Sequence, residues 1–107
     1  MKVSIDSSLL TTDGEAIGRL HGSIELSAVP PVGSSISFVC PKKPVSHPMI
    51  SGFNGLVRVS ELQFDASNED DGVLVLLEDV VVPHREDGAK LASYLEAGFG
   101  LFLEKYE

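Results

Sequence analysis

The stretch GVLVLLEDVVVPHREDGAKLASYLEAGF, residues 72–99, changes rhythm halfway along. From Val73 to Leu77 it is apolar at every position, and Gly72 and the pair Glu78–Asp79 bound the run. A short unbroken apolar run of this kind reads as a strand covered on both faces. It is expected to lie centrally, with the core on one side and a helix on the other, or to bend across a barrel. Beyond Pro83 the period becomes helical. Leu91, Tyr94 and Leu95 recur at i, i+3 and i+4, which makes an apolar stripe fit for packing on a sheet. Asp87 is the expected N-cap, its carboxylate accepting the free N–H groups of the first turn. Gly98 is the expected left-handed residue that ends the helix, with Phe99 as the apolar residue after it. GLFLEKYE, residues 100–107, then alternates again and reads as a last strand.

Working outward, the rest of the chain repeats in twos. In AIGRLHGSIELS, residues 16–27, Leu20, Gly22, Ile24 and Leu26 share one face. Arg19, His21, Ser23, Glu25 and Ser27 share the other, the pattern of a half-buried antiparallel strand. VPPVGSS stops it, because its prolines fix φ and remove donors while Gly33 permits a tight turn. SSISFVC resumes it, with Ile36, Phe38 and Cys40 in phase. GLVRVSELQF alternates with a slip: Val57 and Val59 share one phase, and Leu62 and Phe64 the opposite one. One extra residue near Ser60 or Glu61 brings all four to one face, which predicts a β-bulge there. MKVSID at the start reads as a further strand. The sum is a mainly β, α+β domain over residues 1–107: a small twisted antiparallel sheet or barrel of about six strands, one C-terminal helix packed on it, and a final strand.

Length and charge narrow the function. For 11.4 kDa, surface scaling predicts that about 65% of the chain's surface is buried, enough for one core without cross-links. Sixteen acidic against eight basic residues give a formal charge of −8. That sign repels phosphate backbones and anionic lipid, so nucleic acid and membrane are not expected partners. It favours a basic partner protein, because opposite charge speeds encounter, and it also serves simply to keep a domain dissolved. One cysteine makes no internal disulfide, no apolar signal segment follows the first lysine, and no run is long enough to span a bilayer. The expected location is the cytoplasm.

No catalytic motif stands out. Cys40 continues an inward phase and reads as a small buried hydrophobe rather than a nucleophile paired with His47. Ser67, Glu69, Asp71, Gly72 and Glu78 have the spacing of a calcium loop, yet the residues that follow are strand-like where a helix is required. A hairpin turn with solvated carboxylates is the simpler reading. His84, Glu86 and Asp87 form one short cluster at a helix start, where capping and charge–dipole placement account for them better than a metal does. Glu78 and Asp79 are adjacent on an expected strand, hence on opposite faces, and do not flank one bond. Gly-rich phosphate loops and nucleophile elbows are absent from the sequence.

The expectation is therefore a non-catalytic acidic module that binds another protein, without cofactor or metal. An immunity- or inhibitor-type protein facing a basic toxin or nuclease fits it, and so does a domain that self-associates through the edge of its terminal strand. Glu69, Asp70 and Asp71 on the acidic turn, and Lys42 and Lys43 on the stiff proline loop, are the candidate contact residues. The alternative is a small β-barrel whose interior or mouth holds a small ligand.

Overall fold

The computed structural model describes residues 1–39, 41, 45, 48–66 and 72–105. Among these residues, seven strands and one helix follow the order β1 (Lys2–Thr11), β2 (Ala16–Glu25), β3 (Ser35–Ser37), β4 (Leu56–Phe64), β5 (Val73–Leu77), β6 (Val80–Val82), α1 (Arg85–Phe99) and β7 (Phe102–Lys105). They form one sheet in the order β3-β4-β5-β1-β2-β7, with β6 also paired to β1. The sheet does not close into a barrel.

It is also mixed rather than purely antiparallel. β1 and β2 make a long hairpin, β3, β4 and β5 make a meander, and the two units meet where β5 and β6 run parallel to β1. Alternation reports which face a residue takes; the choice of strands that join two antiparallel units is non-local and leaves no local trace.

Inward side chains follow the expected phases. Val3, Ile5 and Leu9 of β1, Leu20 of β2, Val57 and Val59 of β4, and Val75 and Leu77 of β5 are buried. The predicted bulge is present, because the β4–β5 register shifts between Val59 and Glu61. Leu62 and Phe64 thereby come to the core-facing side, opposite Val75 and Val73. Phe64 stands on the correct face but at the far end of the sheet, where it is exposed.

The run 73–82 is two strands, not one. Ser4 faces Leu74, an offset of 70, and Leu9 faces Val80, an offset of 71, so one residue is extra on the 73–82 side. The freed groups of Glu78 find other partners. Its carbonyl accepts the buried Ser7 hydroxyl at 2.9 Å, and its N–H donates to the Arg58 carbonyl at 2.9 Å. Glu78 and Asp79 therefore sit in an exposed jog between strands. Helix and core lie on the same side of the sheet, so Leu74 and Leu76 of β5 face outward beside Ser4 and Asp6 instead of under a helix.

The helix begins two residues before the expected cap. His84 is the N-cap, with extended φ and ψ and no side-chain cap bond, and Glu86 and Asp87 lie in the first turn where their charge complements the dipole. Its stripe is as predicted, with Leu91, Tyr94 and Leu95 buried. Gly98 is not the terminator. It is buried within the helix, and a Cβ there would stand 2.8 Å from Cβ of Pro41, so its smallness serves close approach. Gly100, at φ 74°, takes the left-handed role; its N–H donates to the Glu96 carbonyl, and the Leu101 N–H donates back to the Leu95 carbonyl. A hydrogen bond of 2.5 Å from the Tyr94 hydroxyl to the Phe38 carbonyl ties the helix to the segment after β3.

Candidate functional site

The sheet's failure to close leaves a cleft. Ser23, Ile24, Glu25 and Leu26 line one wall, Ile36, Ser37 and Phe38 the other, and Lys2 and Phe99 complete it, around about 270 Å³. Consecutive residues line each wall, although their side chains alternate between faces. The cleft is therefore bordered by the edges of two strands, β2 and β3, rather than by their flat faces.

Hydrogen-bond parity identifies which backbone groups those edges offer. Leu26 N–H donates to the Met1 carbonyl at 2.8 Å, and the Met1 nitrogen donates to the Leu26 carbonyl at 2.8 Å. In an antiparallel ladder such doubly bonded pairs recur at every second position, so Val3–Ile24 and Ile5–Gly22 are the next ones. Ser23 and Glu25 therefore turn their N–H and C=O groups away from β1. β7 covers that side of β2 only from Gly18 to His21.

The same reasoning holds for β3. Phe38 N–H donates to the Gly55 carbonyl at 2.7 Å, and Val59 N–H donates to the Ser34 carbonyl at 2.8 Å. Ile36 shares that parity and bonds with Val57, whereas Ser35 and Ser37 turn their backbone groups away from β4. Among the described residues, β3 has no second neighbour. Among the described residues, two open edges thus border one opening.

The floor between them is apolar. Ile36 and Phe38 are buried, Ile24, Leu26 and Phe99 are partly buried against the core, and the Phe38 and Phe99 rings meet edge to face with centroids 5.2 Å apart. Ser23, Glu25 and Ser37 are exposed at the rim. No ion pair involves Lys2 among the described residues.

Other depressions are less organised. A groove of about 180 Å³ at the β5–β6 jog puts exposed Leu56 and Val81 beside exposed Glu78 and Asp79. A wide, open dish lies along the helix between Val45, Pro48, Ala89 and Ala97. His21 is half-exposed, with its Nε2 3.8 Å from the Glu104 carboxylate. Arg85 pairs with Glu15 in the open, where such pairs contribute little.

The candidate contact residues Lys42, Lys43, Glu69, Asp70 and Asp71 lie outside the described residues, as do Cys40 and His47. Of the calcium-like spacing, only Gly72 and Glu78 are described, and the strand Val73–Leu77 stands where such a loop requires a helix. Among the described residues, no three His, Cys, Asp or Glu side chains gather as ligands for a metal. No helix there is long and apolar enough to cross a membrane.

Sequence reading missed the cleft. Ile24, Leu26, Ile36 and Phe38 read onto apolar faces, but Phe99 reads only as the residue after a helix end, and an open edge is a property of pairing order. Comparison with protein families, curated proteins and solved structures finds no match to this chain.

Proposed function

We propose that this protein is a non-catalytic, acidic, cytoplasmic module that binds a partner protein through the cleft between β2 and β3. The observation that carries the reading is the pair of open strand edges over one apolar floor. Unpaired edges are sticky toward other polypeptides, and proteins that do not use them blunt them with proline, inward charge or a covering element. The shortness of β3 and the charge of Glu25 blunt these edges in part, but neither edge carries a proline, and no covering element lies over Ser23 or Ser37 among the described residues. The net charge of −8 favours a basic partner. The jog, with Leu56 and Val81 exposed beside Glu78 and Asp79, adds a second apolar surface rimmed by acids.

The small-ligand reading is the weaker one. The polar groups at the cleft are backbone edges on the rim, not side chains converging inside. Self-association through β7 is weaker too. Arg19 and His21 share the parity of Ser23, so they bond to Glu104 and Phe102, and Leu103 and Lys105 present the outer edge. In a two-fold pairing, setting Leu103 against Lys105 of a second copy places Glu104 opposite Glu104. Setting Lys105 against itself opposes two cations, and setting Leu103 against itself, which opposes no like charges, pairs only residues 102–104 of each copy. Like charges directly opposite are destabilising.

The test is retention of proteins from native lysate on immobilised wild type and on a Ser23→Pro/Ser37→Pro variant. Proline removes an outward donor and obstructs both edges. The expected result is a partner held by the wild type at low salt, released as salt rises, and not held by the variant. A variant that retains the same proteins as the wild type refutes the reading.

A further inference from the structure

We propose that the partner's contact element is a short extended basic segment that enters the cleft as an added strand and joins β2 to β3. This rests on the reading above that the protein binds a partner protein, and it specifies the chemistry and geometry of that contact.

A strand inside a sheet sends the N–H and C=O groups of successive residues to alternate neighbours. An occupant of this cleft meets the groups it needs on both sides: Ser23 and Glu25 on β2, and Ser35 and Ser37 on β3. Strand addition of this kind draws affinity from the main chain and specificity from alternate side chains.

Direction follows from the ladders. β3 is antiparallel to β4, β4 to β5, and β5 is parallel to β1, so β3 runs with β1 and against β2. An occupant must therefore be parallel to one wall and antiparallel to the other. β2 lines the cleft with two outward-turned residues, Ser23 and Glu25, and β3 with one, Ser37, and antiparallel pairing is slightly the stronger. The occupant runs against β2, in the same sense as β7. Its end stops at Gly100 and Leu101, which pass close to Gly22: a Cβ on Gly22 would lie 3.0 Å from the Gly100 carbonyl oxygen. The free length of β2 is residues 23–25.

Side-chain chemistry follows from the two faces. Every second residue of the occupant points to the floor of Ile24, Leu26, Ile36, Phe38 and Phe99 and must be apolar. The residues between point to the outer side, beside Ser23, Glu25 and Ser37. Glu25 already meets the Met1 ammonium at 3.2 Å and Lys2 also lines the cleft, so the preference for lysine or arginine rests on the −8 charge of the whole chain rather than on the rim itself.

The experiment uses the intact chain and three acetylated, amidated hexapeptides. One alternates lysine and valine, one alternates glutamate and valine, and the third is the lysine peptide N-methylated at alternate residues. Binding is followed by titration and by amide hydrogen exchange of the protein. The lysine peptide is expected to bind and to slow exchange at Ser23, Glu25 and Ser37, with Ile24 and Ile36 slow from the outset. N-methylation is expected to weaken binding about tenfold or more, the loss of about one hydrogen bond. The glutamate peptide is expected to bind more weakly than the lysine peptide. No binding of the lysine peptide up to about 1 mM overturns the proposal. So does binding that leaves those amides unchanged, binding indifferent to N-methylation, or glutamate binding as tight as lysine. These outcomes leave the protein-binding reading standing, since that reading falls only if the Ser23→Pro/Ser37→Pro variant keeps every lysate partner of the wild type.

Discussion

Residues 18–21 and residues 22–25 of β2 share one strand, one partner in β1 and one alternation of side chains, yet among the described residues only the first four have a strand paired on both edges. The difference comes from the far end of the helix. Gly100 turns the chain at φ 74°, and Leu101 crosses beside Gly22 before β7 reaches its register at Phe102. β7 is laid down against the first half of β2 because the helix ends where it does. The second half is left open by the same geometry. An open edge here is thus a consequence of helix placement, and the helix in turn is held by Leu91, Tyr94 and Leu95.

The sharpest way to break the comparison is to loosen the helix. Leu91 has 0% of its surface exposed and lies in the core between helix and sheet. Leu91→Ala is expected to cost about 2–5 kcal/mol in chemical unfolding, through lost transfer energy and the cavity left behind. A loss too small to measure would mean that the helix is not what positions β7.

Next in size is a backbone change within the covered half. Arg19 has an exposed side chain, but its N–H points to β7 and bonds to Glu104. Arg19→Pro deletes that ladder bond, strands the Glu104 carbonyl and puts a ring where β7 must pass. The expected cost is about 2 kcal/mol or more, beyond the small contribution of the exposed Asp6–Arg19 pair at 3.4 Å. Arg19→Ala, which keeps the N–H, separates the two parts. If the proline variant is no less stable than the alanine one, the first half of β2 is not covered as described.

These two halves also mark how far sequence reasoning reaches. The slip of phase in GLVRVSELQF revealed the bulge, because one extra residue is the cheapest way to keep Val57, Val59 and Leu62 inward. The split at Glu78–Asp79 was hidden, because VLVLL and VVV are apolar at every position and carry no phase to slip. The helix stripe was plain, but its ends were not. His84 has no capping signature, and Gly98 resembles a terminator while serving as a notch for Pro41. As for the cleft, Ile24, Leu26, Ile36 and Phe38 were legible as inward residues. That two edges stay unpaired above them depends on which strands sit beside β1, a choice made by the whole chain.

The smallest expected effect is the most telling. Ser23 occupies the same parity as Arg19, four residues along the same strand, with its side chain exposed in the same sense. If its N–H points into an open cleft, Ser23→Pro removes no protein hydrogen bond, and the residue before it, Gly22, tolerates the restriction that proline imposes. Stability should change by no more than about 0.5 kcal/mol, the range of surface substitutions. The amides of the unmodified protein should agree: Ser23 and Glu25 exchange quickly, while Ile24 between them, bonded to Val3, exchanges slowly. That alternation within three residues distinguishes an open edge from general fraying, in which all three would exchange alike. A Ser23→Pro loss as large as that of Arg19→Pro would show that something already occupies the edge, and the two halves of β2 would no longer differ.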